Sequence, residues 1–162
     1  MYATREDYIS LYGEIEEAQF NRLALEADRI MDTHTTGIDN VKKLKIAFPA
    51  AEQPNITACA CALVNFLKQV SDAETSTASA RGYEETANGL KGKVVSSMSA
   101  GNESLSFTAT TDGTAIDKAI SDTDAKQAYI REIIAKWLSG LTDANGVNLL
   151  YMGRYPRRLL DV

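Results

Sequence analysis

Few side chains in this 162-residue chain could carry chemistry. The single histidine, His34, falls near the end of an expected helix, where a cation suits the carbonyl end of the helix dipole and needs no catalytic role. Cys59 and Cys61 are one residue apart in an apolar stretch. That spacing turns them to different faces of a helix, which disfavours a disulfide or a shared metal site and leaves packing as small hydrophobes. With one His and no suitable cysteine pair, the ligands for zinc are too few. Serines are plentiful, yet no His–Asp pair stands ready to activate one. The string Gly89-Leu90-Lys91-Gly92-Lys93 looks like a phosphate cradle, but it precedes an expected strand, and a phosphate loop needs the amide end of a helix. Nucleotide-binding glycine motifs and the G-x-S-x-G elbow of hydrolases are absent from the sequence. Carboxylates holding a divalent cation remain open, although the acidic residues fall at helical spacing on expected solvent faces. The expectation is a protein that is not an enzyme and uses no cofactor.

Composition fits one soluble domain: 44% hydrophobic and 24% charged residues, with no apolar run near the roughly 20 residues of a membrane span. The opening, MYATREDYISLYGEIEE, is acidic and helix-like and lacks the basic and apolar regions of a secretion signal, so a cytoplasmic site of synthesis is expected. The net charge of −5 is uneven. Residues 1–40 hold nine carboxylates (Glu6, Asp7, Glu14, Glu16, Glu17, Glu26, Asp28, Asp32, Asp39) against Arg5, Arg22 and Arg29. The end of the chain carries Arg154, Arg157 and Arg158 against Asp161. An acidic head and a basic tail suit contacts with copies or partners, and ordinary solvated surface explains the acidic part equally well. Neither is the basic face of a sequence-specific DNA binder.

The expected fold class is mainly α, a compact bundle of about four to five helices with one protruding antiparallel β-hairpin, in a single domain spanning 1–162. Thr4, with Asp7 three residues on, forms a capping box for a first short helix that Gly13 stops. A longer helix over Glu14–His34 carries Phe20, Leu23, Ala24, Ala27, Ile30 and Met31 as an apolar stripe. A short helix around Asp39–Ala47 presents Val41, Leu44 and Phe48. Pro54 fits the first turn of the next helix, because its missing N–H costs nothing there. Ile56, Cys59, Ala60, Leu63, Val64, Leu67 and Val70 then make the strongest apolar face and mark a central core helix. Residues 71–92, rich in Ser, Thr, Ala and Gly and without periodicity, predict a long flexible loop.

Beyond it the period becomes two. Val94, Ser96 and Met98 alternate with Val95, Ser97 and Ser99, and Leu105, Phe107 and Ala109 alternate with Ser104, Ser106, Thr108 and Thr110. Gly101-Asn102 suits a two-residue turn, so a hairpin over about 93–110 is expected with one apolar and one hydroxyl face. A last helix starts near Ser121–Asp124, runs to about Ser139 on the stripe Ile130, Ile133, Ile134, Trp137, Leu138 and Leu141, and closes at Gly140. The tail 142–162 holds a turn at Asn145-Gly146, an apolar Leu149-Leu150-Tyr151-Met152 patch and a basic end.

The Thr4-x-x-Asp7-Tyr8-x-x-x-Tyr12-Gly13 opening, the long helix with Phe20, Leu23 and Ala27, the polar hairpin Val95–Phe107, the closing helix and Leu149-Leu150-Tyr151-Met152-Gly153 occur in that order. Together they resemble phage head–tail connector, or head completion, proteins of phages and prophages of Gram-positive bacteria. Tails of that family often read Leu-Leu-Tyr-Arg-Gly; here Met152 precedes Gly153 and the arginine follows at Arg154. The resemblance implies a structural protein of the virion neck, assembled in the host cytoplasm. Its partners would be the portal protein and a tail-side neck protein, and its copies would form a ring of twelve that can be monomeric until the portal templates it. DNA would pass through without sequence-specific binding, and no membrane is involved. Ser97, Ser99, Gly101, Asn102, Ser104, Ser106 and Thr108 are the expected inter-subunit hairpin residues. Leu149, Leu150, Tyr151, Met152, Arg154, Tyr155, Arg157 and Arg158 are the expected portal-docking residues. The alternative reading is a small helical regulator or nucleic-acid-associated module of a mobile element.

Overall fold

In the computed structural model, residues 1–45, 53–80, 83–86, 89–92 and 122–156 are described. They are mainly helical, with four α-helices among them: α1 (Arg5–Tyr12), α2 (Glu17–Thr35), α3 (Gln53–Ala80) and α4 (Thr123–Leu138). The chain divides into two compact units, Met1–Lys68 with Ala128–Val162, and Gln69–Gln127.

In the first unit, α1 begins as its sequence requires. Thr4 Oγ1 accepts the Asp7 amide at 3.2 Å and the Asp7 carboxylate accepts the Thr4 amide at 2.9 Å, which satisfies two otherwise orphaned donors. Gly13 ends the helix at φ +90°, its amide returning to the Ile9 carbonyl at 3.1 Å. Arg5 reaches across the following link, its guanidinium donating twice to the Ile15 carbonyl at 3.0 and 2.8 Å. Helix α2 buries Phe20, Leu23, Ala24, Ala27 and Met31, five of the six residues of its expected stripe; Ile30 is half-buried.

Helix α3 is the central core element. All seven expected residues, Ile56, Cys59, Ala60, Leu63, Val64, Leu67 and Val70, are buried, and so are Cys61 and Phe66. Burial on more than one face explains why Cys59 and Cys61, though turned apart, are both enclosed. Each large apolar side chain removed from water in this way stabilises by about 1.5–3 kcal/mol. Ring contacts and hydrogen bonds tie the helices together: Tyr8 packs against Phe20 and donates to Asn65 Oδ1 at 3.2 Å, and Phe66 packs against Tyr129. Helix α4 buries Ile130, Ile134 and Leu138, with Ile133 and Trp137 half-buried, and Gly140 follows it at φ +81°.

Two expected segments differ. Of the short helix expected around Asp39–Ala47, the described residues 39–45 form only a three-residue 3-10 turn, Lys43–Lys45, preceded by Asn40 in the left-handed region at φ +59°. A left-handed residue cannot continue a right-handed helix, so the turn begins only after it. Of the expected apolar trio there, Leu44 is buried, Val41 is half-buried, and Phe48 lies outside the described residues. The expected loop at 71–92 is also corrected. Helix α3 continues to Ala80, and β1 (Tyr83–Thr86) pairs antiparallel with β2 (Gly89–Gly92), Tyr83 opposite Gly92 and Thr86 opposite Gly89. Ser71–Ala80 contains no Gly or Pro, and Thr75 Oγ1 donates to the Ser71 carbonyl at 2.9 Å within the helix. The apolar stripe lapses after Val70, since the following residues, 71–75, are exposed or half-buried; loss of the stripe therefore did not mean loss of the helix. The hairpin expected at 93–110 lies outside the described residues.

Candidate docking surface

Within the described residues, the expected docking segment is fastened to the loop that follows α2. Its foundation is a tight turn after α4. The Asp143 amide donates to the Val147 carbonyl at 2.9 Å, the Gly146 amide donates to the Asp143 carbonyl at 2.9 Å, and Gly146 supplies φ +75°. This is the turn expected at Asn145-Gly146. Buried Asp143 organises it: Oδ1 accepts the amides of Asn145 (2.9 Å) and Val147 (3.0 Å), and Oδ2 accepts the Tyr155 hydroxyl at 2.6 Å. Burial, with the bond to Asp143, raises the Tyr155 phenol above its usual range.

The segment then crosses the loop 36–45. The Ile38 amide donates to the Met152 carbonyl at 3.3 Å, and the Tyr155 amide donates to Asp39 Oδ2 at 2.7 Å. Gly37 makes this approach possible, and Gly153 leaves room for the Tyr151 ring. A Cβ on Gly37 would lie 2.5 Å from the Gly153 carbonyl oxygen, and one on Gly153 would meet the Tyr151 ring. From the 3-10 turn, buried Lys43 donates through Nζ to the Asn148 carbonyl at 3.1 Å and to the Tyr151 carbonyl. Burial pulls its pKa down, while Asp143 and Asp39 pull it up less strongly.

This framework sorts the expected docking residues. Leu149 and Tyr155 are buried in the chain's own core and are unavailable to a partner in this conformation. Leu150 is half-buried, and Tyr151, Met152 and Arg154 are exposed; Arg157 and Arg158 lie outside the described residues. The expected hairpin residues Ser97, Ser99, Gly101, Asn102, Ser104, Ser106 and Thr108 also lie outside them. Sequence reasoning missed Ile38, which is 70% exposed and bonded through its amide to the segment that carries Tyr151 and Met152, themselves 52% and 49% exposed. Its signal was weak: one isoleucine in a polar break, with no periodicity to say whether it is core.

The residues first weighed for chemistry are placed elsewhere. Burial pushes the Cys59 thiol up to about 12 and the Cys61 thiol up to about 11, the latter helped by Asp7, so neither is a ready thiolate. Among the described residues, no group of three or more His, Cys, Asp or Glu is placed to hold a metal ion, and no helix is long and apolar enough to cross a membrane. His34, expected as a cationic partner for the end of α2, is half-buried, and burial together with Arg131 lowers its pKa below 6.5. Below pH 6.5 the unfolded chain therefore takes up the proton first. Stability is full above that pH and falls as pH drops towards the folded-state value. His34→Gln is expected to reduce the loss of stability between pH 7 and pH 5, measured as the shift in urea midpoint; an unchanged shift would contradict this.

Searches against protein-family models, characterised proteins and solved structures find no match to the chain.

Proposed function

We propose that this chain is a structural adaptor in the neck of a tailed phage or prophage particle, one of a ring of copies between the portal and the tail or stopper protein around the DNA exit channel. The observation that carries the reading is the exposure of Tyr151 and Met152, beside Ile38, on a segment that Asp39, Lys43 and Asp143 hold in place. Large apolar side chains held in one conformation suit an anchor for a partner, because little conformational entropy is left to lose on docking. The ordered series of motifs described above supplies the identity of that partner, the portal. The acidic balance of the chain is compatible with DNA sliding past, since sticking to phosphates depends on Lys and Arg.

The test is electron microscopy of the purified protein mixed with the portal protein encoded in the same genome. A ring added to the tail-side face of the portal is expected. Tyr151→Ser combined with Met152→Ser should weaken binding by about 2–4 kcal/mol, roughly 30- to 1,000-fold in Kd. An intact portal that gains no ring, or binding that ignores the double substitution, would overturn the proposal. Salt-sensitive DNA binding in its place would favour the regulator reading.

A further inference from the structure

We propose that Lys43 is a positioning residue whose side-chain nitrogen acts as an internal cation and sets the conformation of the segment bearing Tyr151 and Met152. The docking part of this inference rests on the function proposed above; the positioning part does not. Lysine is seldom enclosed, because its charge and its flexible stem both favour water. Here Lys43 is 1% exposed, and its hydrogen-bond acceptors are two backbone carbonyls more than a hundred residues further along the chain. Those carbonyls belong to the two ends of one turn. The Tyr151 amide donates to the Asn148 carbonyl at 3.1 Å, and the Leu150 amide donates to Asn148 Oδ1 at 2.8 Å. The turn brings two carbonyl oxygens to one donor, a convergence of like partial charges that a cation relieves.

The neighbouring charges are engaged differently. Lys42 pairs with Asp32 at 3.8 Å, and Lys45 stands 4.7 Å over the Tyr2 ring. The carboxylates that act on Lys43 are Asp39 from its own loop and Asp143 from the turn opposite. Both already accept hydrogen bonds from the tail, Asp39 from the Tyr155 amide and Asp143 from the Tyr155 hydroxyl. Lys43 thus joins the loop to the Asn148 carbonyl ahead of the exposed pair and to the Tyr151 carbonyl within it, where a small change in the turn redirects both side chains.

Lys43→Met keeps the length of the side chain and removes its donors. In amide hydrogen exchange of the full chain, Leu149 and Tyr151 are expected to lose protection by about 100-fold or more, with Ile38 following, while Leu63 and Val64 in α3 stay strongly protected. Uniform loss across tail and α3 would mean a merely structural role, and full retention in the tail would mean no role; either overturns the inference. Should the variant not fold, the native chain supplies the second measurement. With an amine-acylating reagent, Lys43 is expected to react at least about tenfold more slowly than exposed Lys42 and Lys45; equal rates would overturn the enclosed pin. Portal binding by Lys43→Met separates the two levels. Weakened binding supports positioning of the docking pair. Unchanged binding by a variant with an opened tail leaves the pin standing and overturns the docking role of the segment.

Discussion

Leu63→Ala is expected to cost about 2–5 kcal/mol of unfolding free energy. Leu63 has no exposed surface, and Cys59, Ala60, Val64, Phe66 and Leu67 are buried on the same stretch of α3. Truncation removes three methyl or methylene-type carbons from the centre of the element on which the first unit is built. Leu63 is fully enclosed, so collapse can fill the cavity only in part, and lost contacts add to lost transfer free energy. For a chain of this length each kcal/mol shifts the melting temperature by about 2–4 °C, so a fall of roughly 4–20 °C is anticipated. Circular dichroism during heating checks it. A loss below about 1 kcal/mol would show that α3 is not the packing centre.

Asp143→Ala is expected to cost about 2–4 kcal/mol, chiefly by undoing the tail. The carboxylate accepts two backbone amides and one phenol while almost fully enclosed, and it opposes the effect of burial on Lys43. Its removal strands three donors and takes away a nearby countercharge, and a buried donor without an acceptor forfeits its full desolvation cost. Asp143→Asn keeps one acceptor oxygen and should recover part of the loss. Urea denaturation of both variants, with hydrogen exchange at Val147 and Asn145, measures the effect. If Asp143→Ala were as stable as the parent, or Asp143→Asn as damaging as Asp143→Ala, the carboxylate would not be the organising group of the turn.

The helices were legible because each announces itself by local rules. Thr4, Asp7 and Gly13 bound α1 through contacts three or four residues apart, and the stripes of α2 and α3 follow from the pitch of a helix against one apolar environment. The end of α3, Ser71–Ala80, escaped because a helix can keep its backbone bonds where its apolar stripe lapses. The hairpin at 83–92 escaped because its strands are only four residues each, one of them flanked by Gly89 and Gly92, too short to show an alternating pattern. The turn at Asn145-Gly146 was readable from glycine and asparagine alone.

The docking segment divides along the same line. Its apolar and basic character was plain from residues 149–158, but composition does not say which apolar residue faces inward. Leu149 and Tyr155 became core, and Tyr151 and Met152 surface, through bonds to Ile38, Asp39 and Lys43 made across more than a hundred intervening residues. Nothing in the sequence around Lys43 distinguishes it from a surface lysine. The sequence by itself determined the helical class, the capping box and glycine stop of α1, the core stripe of α3 and the uneven charge, because those depend on neighbours within one or two turns. Only the tertiary structure decided that Lys43 and Asp143 are buried and that Ile38 adjoins the tail, because a buried charge is tolerated only where hydrogen-bond partners converge on it, and those of Lys43 lie more than a hundred residues along the chain.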